Sequence, residues 1–182
     1  ALMDERAREV EISVGVSNSN RAVDAAALLG YNMMCCHTPC DNLVNKFITE
    51  LMENEQPETV GEVCRLLRSL PEYAASARLN NPPNIVNGKP SRSAGKVFVD
   101  MTGGTGGPKE YARLLAEAGV GTMLCMHMRK DALDVAKEAH INVIIAGHIA
   151  SDSIGLNLFL DQIEARGVEI IPCSGLLRVS RN

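Results

Sequence analysis

Short apolar runs that alternate with amphipathic stretches are the feature of this sequence that most restricts its fold. The runs include residues 31–36, 120–126 and 143–147, and each is followed by a stretch with helical spacing. Short apolar runs bounded by polar residues are typical of buried parallel strands, and their alternation with helices indicates βαβ units. The sequence therefore predicts an α/β protein with a mixed or mostly parallel sheet flanked by helices.

The predicted elements cover most of the chain. Strands are predicted at 11–16, 31–36, 96–99, 121–126, 141–146 and 168–171, and helices at 20–29, 41–54, 58–70, 107–118, 129–139 and 153–166, with a weaker helix after Pro71. Residues 79–92, rich in asparagine and proline, form the one long segment without periodicity. We therefore expect an N-terminal α/β part over 1–80 and a C-terminal α/β part over 93–182, with a linker at 79–92.

Composition and charge argue against several classes of function. The chain has 182 residues, 46% of them hydrophobic, and a net charge of −4. This charge gives no reason to expect binding to nucleic acid or to an anionic membrane, which need clustered Lys and Arg. No apolar stretch approaches the roughly 20 residues that span a bilayer, and the N-terminus lacks a signal-peptide core, so a cytoplasmic protein is expected. The six cysteines have no Cys-x-x-Cys spacing and are predicted to be reduced core thiols.

Three of the four histidines are followed by an aspartate four residues later. The pairs are His37 and Asp41, His127 and Asp131, and His148 and Asp152. Aspartate fills only 8 of the 182 positions, so chance does not explain three repeats of this spacing. Each histidine closes an apolar run and is expected at the carboxyl end of a strand, where ligands bind in open α/β sheets. Imidazole and carboxylate groups are metal donors. The sequence therefore predicts a metal site made of His37, Asp41, His148 and Asp152.

The first and third pairs also have a structural interpretation. Asp41 can serve as the N-cap of a helix beside an incidental histidine. In the third pair Ser151 is available as the cap, which leaves Asp152 freer to coordinate a metal.

The second pair is more ambiguous because Arg129 and Lys130 lie between its two members. Both cations would compete for Asp131 as salt-bridge partners, and positive charge beside a cation site is unfavourable unless an anionic substrate is also bound. His127 is therefore interpreted as either a metal ligand or an acid/base group, and we expect it to be the catalytic residue of any enzyme here.

A glycine-rich segment follows the predicted strand 96–99. Glycines between a strand and a helix let backbone N–H groups approach an anion, so Gly103, Gly104, Gly106 and Gly107 are candidate phosphate-binding residues. The segment lacks the Gly-Lys-Ser/Thr of a P-loop and the spacing of a dinucleotide fingerprint. A plain turn with Pro108 in the first helical turn is the alternative.

The order of these features resembles the dinuclear metal-centre family of GTP cyclohydrolase 1 type 2 homologues, also called Ngg-one-interacting-factor-three-like proteins. His37-Thr-Pro-Cys-Asp41 is similar to the family's His-x-Pro-x-Asp element, and residues 102–107 are similar to its glycine loop. The segment from Ala146 to Asp152, followed by Gly155, is similar to its terminal Gly-His-x-x-(Thr/Ser)-Glu element. The resemblance covers most of the chain, and it implies divalent ions held by these residues in a two-lobed α/β fold that assembles into homo-oligomeric rings, usually hexamers.

Three features depart from the family pattern. The family's adjacent His-His pair has no counterpart here, Asp152 stands where glutamate is usual, and His127 stands where the family has a Gly-Glu element. The resemblance therefore implies an N-terminally truncated or divergent member with one or two ions per chain. Either the missing His-His pair lies on an absent N-terminal segment, or the site holds one ion, or it holds none. Zinc, iron and manganese all fit a set of His and Asp ligands.

We therefore expect a divalent-metal-binding protein. If it is an enzyme, a metal-activated water would hydrolyse a nucleotide-like or other phosphorylated small molecule. One alternative is a non-catalytic ring-forming scaffold or a metal-handling protein. Another is a nucleotide binder that uses the glycine loop, and for it we expect phosphate affinity without metal. Elemental analysis of the purified protein separates these alternatives.

Overall fold

A computed structural model describes residues 15–17, 20–103, 107–173 and 175–182. A parallel pair of strands, β1 (Gly15–Ser17) and β2 (Met33–Cys35), forms a small sheet. The larger sheet contains β3 (Asn84–Asn87), β4 (Lys96–Asp100), β5 (Val120–Cys125) and β6 (Asn142–Ile145) in the order β3-β6-β5-β4. Strands β4, β5 and β6 are parallel neighbours, and β3 pairs antiparallel with β6 at the edge.

Seven helices are present in the part of the chain that the structure describes. They are α1 (Asn20–Leu28), α2 (His37–Glu55), α3 (Val60–Ser69), α4 (Pro71–Arg78), α5 (Tyr111–Glu117), α6 (Lys130–Glu138) and α7 (His148–Glu164). Helices α5 and α6 connect the successive parallel strands β4, β5 and β6. The predicted α/β class, with a mixed sheet flanked by helices, is confirmed. None of the described helices combines the length and apolar character needed to cross a membrane.

Local sequence signals account for several helix ends. Gly30 follows α1 with a φ of 76°, a conformation that glycine adopts without strain. A capping box begins α3, because Thr59 accepts a hydrogen bond from the Glu62 N–H while the Glu62 carboxylate returns to the Thr59 N–H. Pro71 occupies the first turn of α4, where its missing N–H has no cost.

Two hydrophobic clusters lie on opposite faces of the larger sheet. The first packs α2, α3 and α7 against the sheet and includes Leu124 and Ile144. The second packs α5 and α6 against it and includes Met123 and Val143. Because successive residues of a strand point to opposite faces, this alternation separates the two clusters. The first cluster contains residues from both sides of the segment 79–92, so both parts of the chain share one core.

Some element boundaries differ from the sequence prediction. Residues 84–87, predicted to be part of an irregular linker, form the edge strand β3. Residues 168–171 were predicted to form a strand and do not, and β3 holds the position beside β6 that a further parallel strand would take. Helix α5 begins at Tyr111 rather than at residue 107. The predicted strand 11–16 lies partly outside the described residues.

Helices α2 and α7 are in direct backbone contact at Gly155. A Cβ atom at Gly155 would lie 2.3 Å from the carbonyl oxygen of Cys40 and 2.8 Å from its carbonyl carbon. Real Cβ atoms essentially never approach another atom closer than 3.0 Å, so only glycine permits this approach. The contact holds the first turn of α2 against α7.

A polar contact between α4, α7 and the C-terminal segment supports the same helix. Arg181 donates two hydrogen bonds to the Glu72 carboxylate, at 2.9 and 2.8 Å, and Asn157 of α7 donates a third at 2.9 Å. The Glu72 side chain is buried, with 1% exposure, so these bonds compensate its loss of water. Arg178 forms a second ion pair, with Asp161 and Glu164.

Candidate metal centre

His37 and Asp41 lie one turn apart on the same face of α2. The helix begins at His37, one turn earlier than predicted, so His37 is its first residue and Asp41 is not an N-cap. Pro39 explains the early start, because proline is well tolerated in the first turn of a helix. His37 Nδ1 is 3.4 Å from Asp41 Oδ2.

His148 and Asp152 repeat this arrangement at the start of α7. The helix begins at His148, again earlier than predicted, and Gly147 with a φ of 99° precedes it. Ser151 was predicted to be the cap, but it lies inside the helix, where its Oγ donates to the Gly147 carbonyl at 2.7 Å and contacts the buried Tyr73 hydroxyl at 2.8 Å. His148 Nε2 is 3.5 Å from Asp152 Oδ2.

Gly103 lies between the two pairs. A Cβ atom there would be 2.9 Å from His148 Nε2 and 3.1 Å from His37 Nε2, so the two nitrogens are at most about 6 Å apart. The Gly103 N–H donates to Asp41 Oδ2 at 3.0 Å. The structure therefore brings together residues from α2, α7 and the glycine loop that are far apart in sequence.

His127 joins this group from the end of β5, but Asp131 does not. The His127 and His148 rings have centroids 5.1 Å apart and planes tilted by 43°. Arg129 Nε lies 3.2 Å from Asp131 Oδ1, which is the competing salt bridge that the sequence suggested. The hydrogen bond from Arg129 lowers the pKa of Asp131. His127 is exposed and therefore open to solvent and substrate.

The chemistry of Asp41 fits a cation. The side chain is 9% exposed, and its Oδ1 atom is buried with no hydrogen-bond partner among the described residues. A buried carboxylate oxygen without a partner is costly, so this atom favours a donor or a positive ion beside it. Within the described ranges, no three His, Cys, Asp or Glu residues form a ready-made cation site, and each of the imidazoles in α2 and α7 instead contacts the aspartate of its own helix.

The predicted phosphate role of the glycine loop stays a prediction. Gly104 and Gly106 lie outside the described residues. The Gly103 N–H is directed to Asp41, and a Cβ atom at Gly107 would make only an ordinary contact, 3.5 Å from the Tyr111 ring.

A cleft of about 50 Å³ opens beside His127. Its lining includes Asp100, Tyr111 and two cationic side chains, Lys109 and Arg129. A larger groove, of about 330 Å³, lies at the C-terminal end of α2 around Gln56, and no histidine lines it. We regard the smaller cleft as the more relevant, because it adjoins the histidine group.

Two cysteines also lie in the first turn of α2. Cys40 Sγ donates a hydrogen bond to Cys36 Sγ at 3.3 Å. This bond lowers the pKa of the Cys36 thiol, although burial opposes the shift, and the same bond together with burial raises the pKa of Cys40. All six cysteines are free thiols in the structure, and four of them are buried, whereas Cys173 is exposed and not part of the core that the sequence predicted.

One supporting residue of the site was not predicted. Asn45 Oδ1 accepts a hydrogen bond from the Met101 N–H at 2.9 Å and so attaches the start of the glycine loop to α2. Asn45 follows His37 and Asp41 at the same four-residue spacing. This polar stripe on one helix face is the signal that could have identified it.

Comparison with solved structures finds NIF3 superfamily proteins among the neighbours of this chain. No protein-family model matches the sequence, and no curated protein matches it. The crystal structure of a NIF3 superfamily protein from Sphaerobacter thermophilus superimposes with a TM-score of 0.65 and 30% sequence identity, over 88% of this chain and 59% of that chain. This chain is therefore similar in sequence and in fold to a NIF3 superfamily protein. NIF3 stands for Ngg-one-interacting factor three, the name of the family that the sequence motifs resemble. The predicted resemblance is therefore confirmed.

Two more distant structures share the fold of this chain. Reduced HcgD from Methanocaldococcus jannaschii has a TM-score of 0.62 and 15% identity, over 90% of this chain and 74% of that chain. A hypothetical protein from Staphylococcus aureus has a TM-score of 0.55 and 12% identity, over 91% and 78%. Because this chain spans only 59% of the Sphaerobacter protein, its metal content, activity, location and ring assembly stay predictions.

Proposed function

We propose that this protein, which resembles NIF3 superfamily proteins, binds a divalent metal ion between α2 and α7 and uses it to hydrolyse a phosphorylated small molecule. The observation that carries the proposal is that His37 Nε2 and His148 Nε2 both lie about 3 Å from the position that a Cβ atom of Gly103 would occupy. The unpartnered Oδ1 of Asp41 lies in the same group. His37, Asp41 and His148 would hold the ion, with Asp152 beside them, since zinc, iron and manganese all accept such donors.

The surroundings of the site favour an anionic substrate. Lys109 and Arg129 line the cleft beside His127, and both are suited to phosphate oxygens. When bound, a divalent ion would lower the pKa of a water molecule and neutralise charge on a phosphate. His127, exposed and within ring contact of His148, is placed to move a proton between substrate and solvent.

Variants of the donor residues test the metal site. We expect His148→Ala and Asp41→Asn each to weaken zinc binding by at least about tenfold, because each removes one donor. Asparagine at position 41 can still accept the Gly103 N–H, so the loop keeps its anchor. The measurement is calorimetric titration of zinc into metal-free protein, with elemental analysis of the protein as purified.

His140→Asn is the matched control for this titration. His140 lies after α6 with a φ of 58°, a conformation that asparagine tolerates, so its replacement should leave zinc affinity unchanged. Equal zinc affinity in wild-type, His148→Ala and Asp41→Asn proteins would reject the proposed site.

Catalysis is tested separately at His127. We expect His127→Ala to keep its zinc affinity and to lose turnover of 4-nitrophenyl phosphate or of nucleoside monophosphates by roughly 100-fold, the usual effect of removing an acid/base group. The comparison is between initial rates at saturating metal. A metal-loaded wild-type protein that turns over none of these substrates would instead favour a metal-handling or scaffold role.

A further inference from the structure

Two buried thiols are in contact immediately before and within the first turn of α2. Cys40 Sγ is 3.3 Å from Cys36 Sγ, and Cys36 Sγ donates to the Ser17 carbonyl at 3.4 Å. The Cys40 N–H also bonds to the Cys36 carbonyl, so the backbone between them is already helical. Residues four apart in a helix have Cα atoms about 6 Å apart, within the range that a disulfide spans.

We propose that Cys36 and Cys40 are a reversible disulfide site that controls the neighbouring metal donors. His37 follows Cys36 and Asp41 follows Cys40 in the chain. The sulfurs, now 3.3 Å apart, must close to the roughly 2.05 Å of a disulfide. Cβ atoms four residues apart in a helix are about 5–6 Å apart, whereas those of a disulfide are about 3.5–4.5 Å apart, so bond formation draws the first turn of α2 together and both donors move with it. The controlling role, but not the disulfide itself, rests on the proposed metal site.

The oxidation balances with a peroxide as the two-electron oxidant. One thiolate attacks a peroxide oxygen, so an S–O bond forms, the O–O bond breaks, and the departing hydroxide takes up a proton to leave as water. The second thiol then attacks that sulfur, so the S–S bond forms, the S–O bond breaks, and a second water leaves. Two sulfurs together lose two electrons and two protons, and a dithiol reductant reverses the change.

The other thiols differ from this pair. Cys125 Sγ donates to the Ile144 carbonyl at 3.8 Å, and Cys173 is exposed. Cys35 adjoins Cys36 but lies in β2. Because Cys36 and Cys40 are 1% and 0% exposed, their oxidation requires local opening of the helix start and should be slower than that of Cys173.

Mass spectrometry of peroxide-treated protein tests the disulfide. Trypsin releases residues 22–46 as one peptide that contains Cys35, Cys36 and Cys40. We expect this peptide to lose the mass of two hydrogens after treatment and to regain it with dithiothreitol. Cys35→Ser should preserve the loss, whereas Cys40→Ser should abolish it. A peptide that keeps its reduced mass while Cys173 is fully oxidised overturns the proposal.

Zinc titration of the same samples tests the controlling role. We expect the affinity of wild-type and Cys35→Ser proteins for zinc to fall at least about fivefold on oxidation and to recover on reduction, while Cys40→Ser does not respond. A disulfide without any change in affinity overturns the controlling role and leaves the metal site intact. Reduced protein that binds no zinc overturns the metal site, and with it the controlling role, whether or not the disulfide forms.

Discussion

Replacing Gly155 with alanine should destabilise the protein by roughly 2 to 3 kcal/mol, a cost typical of overpacking at a closely packed contact. The added methyl group would lie 2.3 Å from the Cys40 carbonyl oxygen, and a backbone atom cannot move aside as the end of a side chain can. Helices α2 and α7 must therefore separate. Because they carry His37 and His148, zinc affinity should fall as well. Urea unfolding measures the first effect and zinc titration the second.

The sign of the change in the free energy of unfolding distinguishes an effect of packing from an effect of helix propensity. At an ordinary helix position, glycine to alanine stabilises a protein by about 1 kcal/mol. Ser153→Ala, on the same helix, is the control, and its free energy of unfolding should change by no more than about 0.5 kcal/mol. A more stable Gly155→Ala protein would show that α2 and α7 are not in backbone contact.

Replacing Arg181 with alanine should cost about 3 to 5 kcal/mol of folding free energy, because it leaves a buried carboxylate without its counter-charge. Arg181 provides two hydrogen bonds to Glu72, and its guanidinium also lies 5.1 Å from the centroid of the Phe47 ring. Loss of these contacts should release the C-terminal segment from α4 and α7. Urea unfolding and proteolysis near residue 178 measure the two effects.

A second substitution separates the charge effect from lost packing. Adding Glu72→Gln to Arg181→Ala should recover part of the lost stability, because a neutral amide costs less to bury than an unpaired carboxylate. Arg166→Ala, an exposed arginine at the end of α7, is the control and should have little effect. An Arg181→Ala protein as stable as the wild type would mean that the ion pair makes no net contribution.

The central strands were predictable from local pattern. Residues 121–126 and 141–146 are mainly apolar because β5 and β6 are covered on both faces, and the structure places both strands within a residue or two of prediction. Residues 168–171 have a similar pattern but form no strand. An apolar run indicates that a segment tends to be buried, but it does not indicate whether a position in the sheet is available to it. Strand β3 takes the place beside β6, although its Asn- and Pro-rich surroundings indicated a loop.

The candidate site also depends partly on local sequence pattern and partly on tertiary structure. The sequence by itself determined that His37 and His148 each have an aspartate four residues later, but these histidines were predicted at strand ends. The structure begins α2 and α7 at the histidines, and within a helix the four-residue spacing puts each pair on one face. Only the tertiary structure decided that the two pairs meet. Their meeting depends on the space left by Gly155 at the Cys40 carbonyl and by Gly103 between the two imidazoles. A glycine adds nothing to the hydrophobic periodicity of a sequence. Whether its lack of a side chain matters depends on which backbone segment packs against it in the folded protein.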